Sequence, residues 1–111
     1  MIQRAYDAIL LDLDGTLVDG ENRIHPRTLA ALRAAHARGV VVMIATGRSE
    51  TATLPVIESL GIDRPALVYN GAGLFCPVEG RMLEERVLSP RTQARAVELG
   101  LERGYLVVTM C

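Results

Sequence analysis

The chain has 111 residues, enough for one small domain, and half of them are hydrophobic, so a packed core is expected. Its net charge of −1 gives no electrostatic case for binding nucleic acid or a membrane surface. No apolar run approaches the ~20 residues that span a bilayer.

All 12 basic residues are arginine, and lysine is absent. The N-terminal stretch reaches Asp7 too early for a signal peptide. Cys76 and Cys111 stand far apart and make no metal-ligand spacing. Both are read as small packing residues in a reducing, cytoplasmic compartment.

In chain order, the first strand is expected over about Ala8–Leu13 and ends on Asp12-Leu13-Asp14-Gly15-Thr16. A polar loop follows at Asp19-Gly20-Glu21-Asn22. A helix is predicted from about Pro26 to Arg38, because proline suits the first turn and Gly39 suits a C-terminal cap. Leu29 and Leu32 supply its apolar face. The unbroken run Val40–Ala45 reads as a parallel strand covered on both faces. The second helix is expected over about Glu50–Leu60, ending at Gly61, with Pro55 limiting or breaking its first turns. A third strand is predicted over Ala66–Tyr69, and Asn70-Gly71-Ala72-Gly73 turns the chain again.

This βαβαβ order predicts an α/β, Rossmann-like, doubly wound parallel sheet. Gly73 to Val87 reads as a hairpin turning at Glu79-Gly80. A helix over Pro90–Arg103, capped by Ser89 and ended by Gly104, is followed by a predicted final strand at Tyr105–Thr109.

Asp12 and Asp14 lie two residues apart on an extended segment, so both carboxylates project to one side. Like charges there repel, and burial disfavours ionisation. A bound cation or phosphoryl chemistry explains such a pair, with one carboxylate attacking phosphorus and the other moving a proton. Ligands in parallel sheets bind beyond the carboxyl ends of the strands. Here those ends carry Asp12/Asp14, Thr46/Gly47/Arg48 and Asn70/Gly71. Simpler roles are open for some of these residues. Thr46 can be the N-cap of the second helix, Arg48 a solvated charge, and Asn70 a left-handed turn residue. Asp19, His25 and His36 read as loop, surface or helix residues.

Taken together, Asp12-Leu13-Asp14-Gly15-Thr16-Leu17, Ala45-Thr46-Gly47-Arg48 and Asn70-Gly71-Ala72 resemble the haloacid dehalogenase-like superfamily, and within it the Cof-type sugar-phosphatase branch. The resemblance implies a phosphatase acting on small phosphorylated metabolites through an aspartyl-phosphate. Asp12 would be the nucleophile and Asp14 the general acid and base. Mg²⁺ would sit on the Asp12 carboxylate and the Asp14 backbone carbonyl, a hard cation on oxygen ligands. Gly15 and Thr16 would hold the turn and offer N–H groups. Thr46 would bind a phosphoryl oxygen, Gly47 would admit close backbone approach, and Arg48 and Asn70 would face the substrate. A phosphomutase of the same superfamily is one alternative, and a non-catalytic binder of Mg²⁺ or a phosphorylated ligand is another. P-type pumps fit less well, because they place Lys and Thr where Leu13 and Asp14 stand and no run here is long enough to span a membrane, and dehalogenases fit less well because Asp14 suits phosphoryl chemistry.

The resemblance also calls for a lysine and a later acidic pair. The chain has no lysine, its only Asp after Arg48 is Asp63, and Glu84-Glu85 falls in the predicted hairpin as a solvated face. Arg is a poor substitute for the compact charge of Lys. Residues 1–87 are therefore read as the N-terminal half of a core domain and residues 88–111 as the beginning of an α+β cap domain. The missing C-terminal half of the same protein, or a partner chain, would supply the rest. Alone, the 111-residue chain is expected to turn over weakly or not at all. Its first strand is expected to stand as an exposed apolar edge.

Overall fold

The computed structural model describes residues 5–110. Strand β1 (Ala8–Leu11) runs parallel to β2 (Val41–Ile44), with Ala8 opposite Val41 and Leu11 opposite Ile44. Strand β3 (Ala66–Val68) extends the parallel set through one bridge, Ala45 to Leu67, and the Thr46 N–H donates to the Leu67 carbonyl at 2.9 Å. The chain turns at Tyr69–Gly71, and β3 pairs antiparallel with β4 (Gly73–Cys76), which pairs with β5 (Arg81–Glu85). This is the Rossmann-like βαβαβ order plus hairpin that the sequence pattern predicts.

Helix α1 (Pro26–Ala37) crosses from β1 to β2, and α2 (Glu50–Leu60) crosses from β2 to β3. Right-handed crossovers between strands added in one direction carry both helices to one face. They touch there, with Arg33 Nη2 donating to the Ser59 carbonyl at 3.4 Å. Val42 and Ile44 are buried while Val41 and Met43 are half-buried, so β2 is fully covered on one face only. The cover expected on both faces is complete on one and partial on the other.

The core joins Leu13, Leu17 and Val18 to Ile44, Val56, Ile57, Leu60, Ala66, Val68 and Phe75. Leu29 and Leu32 of α1 pack against it, as their spacing predicts. β1 ends at Leu11 rather than Leu13, because the chain closes a turn around the fully buried Leu13. The Leu13 carbonyl accepts from the N–H groups of Thr16, Leu17 and Val18 at 2.9–3.1 Å. Among the described residues β1 pairs only with β2, and Leu10 is 56% exposed, so the expected apolar edge is present.

Pro55 does not break α2, which runs through it. An internal proline costs a helix about 3 kcal/mol. Burying Val56, Ile57 and Leu60 returns about 1.5–3 kcal/mol for each side chain, which exceeds that cost. The N-cap of α2 is Ser49, not Thr46: Ser49 Oγ accepts from the Ala52 N–H at 3.2 Å. All three helices end in the same hydrogen-bonded motif, with Gly39, Gly61 and Gly104 supplying the left-handed residue. Cys76 is buried and its Sγ accepts from the Glu79 N–H at the hairpin turn. Cys111 lies outside the described residues.

Helix α3 (Pro90–Glu102) is capped by Ser89 as expected but buries none of its residues. The predicted strand at Tyr105–Thr109 does not form. A strand needs a hydrogen-bonded neighbour, and this segment instead lays Val107 over Gly100 of α3. A Cβ at residue 100 would come within 2.6 Å of the Val107 side chain. The radius of gyration is 17.1 Å, against about 13 Å for a compact chain of this length.

Candidate active site

The strand ends bring four of the expected residues to one cavity. Asp12, Thr46, Gly47 and Asn70 line a hollow of about 290 Å³ with Ala45, Leu67 and Gly71. Of the last three, Ala45 and Gly71 belong to the motifs read from the sequence, while Leu67 was read only as a strand residue. A larger, shallow hollow lies over the start of α1, lined by His25, Arg27, Thr28, Ala31 and Leu32, and holds no carboxylate.

Asp12 leaves the end of β1 exposed, and Thr16 Oγ1 donates to its Oδ2 at 3.3 Å. Gly15, with φ +76°, lets the chain fold back so that Thr16 can reach it. Thr46 is buried, and its Oγ1 accepts from the Arg48 N–H at 3.1 Å. That bond holds the turn after β2 closed.

Asn70 sits in a left-handed run: Tyr69, Asn70 and Gly71 have φ of 52°, 55° and 90°. The left-handed conformation expected of Asn70 is present. That of Tyr69 was not foreseen and is costly for an aromatic residue. The run is held by backbone bonds across to the neighbouring turn, Tyr69 N–H to the Arg48 carbonyl and Asn70 N–H to the Thr46 carbonyl. It presses the Asn70 amide onto Gly47, where a Cβ would lie 2.8 Å from Asn70 Oδ1. A side chain at residue 47 would have to displace the Asn70 amide.

Asp14 and Arg48 form a separate arrangement beside the cavity. Arg48 Nε donates to Asp14 Oδ2 at 2.9 Å and Nη2 to Oδ1 at 2.5 Å, a bidentate pair. The hydrogen bond from Arg48 holds the Asp14 carboxyl below the usual carboxylate range and raises Arg48. Arg48 is thus not a free surface charge but is paired with Asp14. It also donates from Nη1 to Asn22 Oδ1 at 2.7 Å and to the Ala52 carbonyl at 3.4 Å. Asn22 was read from the sequence only as a loop residue. Its positive φ of 63° is the local mark it carries, and a contact across 26 positions leaves no local signal.

The donor set fits a hard cation in kind. The Asp12 carboxylate is exposed and carries one hydrogen bond from Thr16, and the Asp14 side chain is committed to Arg48, which leaves that residue its backbone carbonyl to offer. Among the described residues no group of three His, Cys, Asp or Glu converges to hold a metal, so these oxygens would form only part of a shell. Glu84 and Glu85 lie on the exposed strand β5, as expected, with Glu84 beside Arg86. No described helix is long and apolar enough to cross a membrane.

The carboxyl ends of the parallel strands thus gather a carboxylate, a hydroxyl and an amide around one cavity, where ligands of open α/β sheets bind. The sequence profile of haloacid dehalogenase-like hydrolases matches residues 9–111, and the chain belongs to that family. It is 39% identical over 67 residues to the pyridoxal phosphate phosphatase YbhA of Escherichia coli, covering 60% of this chain and 25% of that protein. It is 32% identical over 69 residues to the glucosyl-3-phosphoglycerate/mannosyl-3-phosphoglycerate phosphatase of Persephonella marina, covering 62% of this chain and 26% of that one. A haloacid dehalogenase-like hydrolase from B. subtilis superposes with a TM-score of 0.71 at 31% identity, over 88% of this chain and 34% of that structure. The chain thus spans about a quarter to a third of the length of these relatives.

Proposed function

We propose that this chain carries the nucleophile end of a Mg²⁺-dependent phosphatase of the Cof-type branch that hydrolyses small phosphorylated metabolites, sugar phosphates foremost. The observation that carries the reading is the Asp12 carboxylate at the mouth of a cavity shared with Thr46, Gly47 and Asn70. Relatives named as phosphatases of pyridoxal phosphate and of glycosyl phosphoglycerates support it. Residues 88–111 are assigned to the start of a cap over this site. The remainder of the site would come from the rest of the full-length protein.

In the first step an Asp12 oxygen attacks phosphorus, and the bond from phosphorus to the sugar oxygen breaks. Asp14 gives that oxygen a proton. In the second step the Asp14 carboxylate takes a proton from water, whose oxygen attacks the phosphorus of the aspartyl-phosphate. Phosphate leaves and the Asp12 carboxylate is restored. The pair with Arg48 favours the ionised Asp14 that the second step needs, and in the first step the Asp14 carboxyl would have to take up a proton and leave the Arg48 fork. Thr46 Oγ1 and the backbone beside Gly47 would hold phosphoryl oxygens. Mg²⁺, when held by the Asp12 carboxylate and the Asp14 carbonyl, offsets the repulsion between phosphate and nucleophile.

The test is phosphate release by the full-length gene product from a panel of sugar phosphates. Turnover is expected with Mg²⁺, and it should fall to background with EDTA or in Asp12→Asn. A wild-type protein that binds a sugar phosphate but never releases phosphate would instead be a ligand-binding protein.

A further inference from the structure

We infer that Asn22 is a positioning residue for the water-activating step of Asp14, acting through Arg48; the inference rests on the role assigned to Asp14 above. The Asp14 side chain is 62% exposed, and an exposed carboxylate has no packing to hold one rotamer. Arg48 supplies the constraint, since its side chain is only 21% exposed and its planar fork grips both carboxylate oxygens. A fork can still pivot about its own stem. Asn22 Oδ1 accepts from the remaining arm, Nη1, at 2.7 Å and fixes the plane of the guanidinium.

The loop that presents Asn22 is itself fastened. Val18 and Ile24 bridge its ends. The Asp19 N–H donates to the Arg23 carbonyl and the Asn22 N–H to the Asp19 carbonyl, both at 3.0 Å. Asp19 Oδ1 accepts from the N–H groups of Glu21 and Arg23, both at 2.9 Å. The run from Asp19 to Asn22, Arg48 and Asp14 is therefore a braced arm rather than a chance surface contact. Misplacement of a reacting group by about 1 Å is enough to cost rate heavily.

The braced geometry holds Asp14 ionised, as the water-activating second step requires. The test therefore follows p-nitrophenyl phosphate, whose aryl oxygen leaves without a proton, in the pre-steady state, where the burst of p-nitrophenol reports the first step and the steady rate reports the second. Asn22→Gly deletes the side chain and tolerates the positive φ, so it removes the contact without adding strain. In the full-length protein it is expected to lower the steady rate about tenfold, within the range of general base catalysis. The burst rate should change by less than about twofold. Asn22→Asp, which keeps an acceptor and tolerates the same φ, should restore most of the loss. A burst rate and a steady rate that fall equally, or neither falling, overturn the inference.

A second readout is independent of turnover. In the wild-type protein the two Nη groups of Arg48 should give separate NMR signals from hindered rotation, and these should merge in Asn22→Gly. If wild type releases no phosphate, the proposed function fails, and this readout decides the Asn22–Arg48 link by itself. Unchanged Arg48 signals in Asn22→Gly overturn the link.

Discussion

Helices α2 and α3 carry nearly the same local instructions and meet different fates. Each starts on a serine whose hydroxyl accepts from the N–H three residues on, at 3.2 Å. Each ends on a left-handed glycine. α2 nevertheless buries Thr53, Val56, Ile57 and Leu60, while α3 buries none of its residues and leaves Leu101 61% exposed. Caps decide where a helix begins and stops, and packing decides how strongly it is tied to the fold. The candidate active site belongs to the packed half. Ser49, Arg48 and Gly47 run directly into α2, so the helix that anchors the core also holds the turn after β2.

The sharpest way to break the contrast is core truncation. Ile57→Ala should cost about 2–5 kcal/mol of unfolding free energy, because Ile57 is 2% exposed. Leu101→Ala should change it by less than about 0.5 kcal/mol. Urea unfolding followed by circular dichroism measures both, and similar losses for the two would sink the division.

Cap removal gives a smaller effect that sharpens the same point. Ser49→Ala should cost about 1 kcal/mol of global stability. Ser89→Ala removes an equivalent bond but should act locally, since α3 opens without unfolding the core. Amide exchange should then quicken only near the start of α3. Exchange that quickens across β1 and β2 in Ser89→Ala would show that α3 is coupled to the core after all.

The smallest effect lies at the Asp14–Arg48 pair. Because Arg48 holds the Asp14 carboxyl below its ordinary value, the pair adds stability above the unfolded-state value of about 4 and loses it as pH falls through the lower, folded one. The stability gap between wild type and Arg48→Met should be steady near neutral pH and narrow below about pH 4. Denaturation midpoints at pH 7 and pH 3 test this, and a gap unchanged between them would mean that the pair adds nothing to stability.

Much of the candidate-site edge was legible in the chain because its signals are local. Apolar runs ending in Asp12, Thr46 and Asn70 mark strand ends, and parallel strand ends face one side of a sheet. Glycines after each helix mark its stop. Elsewhere local reading failed for a definite physical reason. Tyr105–Thr109 has the composition of a strand but finds no strand to pair with among the described residues. Pro55 has the chemistry of a helix breaker, but buried neighbours outweigh it. Thr46 is the right residue type for a cap, yet Ser49 lies closer to the helix and takes the role.

The sequence by itself determined the element order, the helix limits and the Asp12, Thr46 and Asn70 positions, because turn chemistry and hydrophobic runs act within a few residues. Only the tertiary structure decided that Arg48 grips Asp14, that Asn22 braces Arg48, and that Asn70 closes on Gly47. Those contacts join residues 23 to 34 positions apart. Nothing in the local chain encodes such a distance; it is set when the β1, β2 and β3 ends are brought side by side.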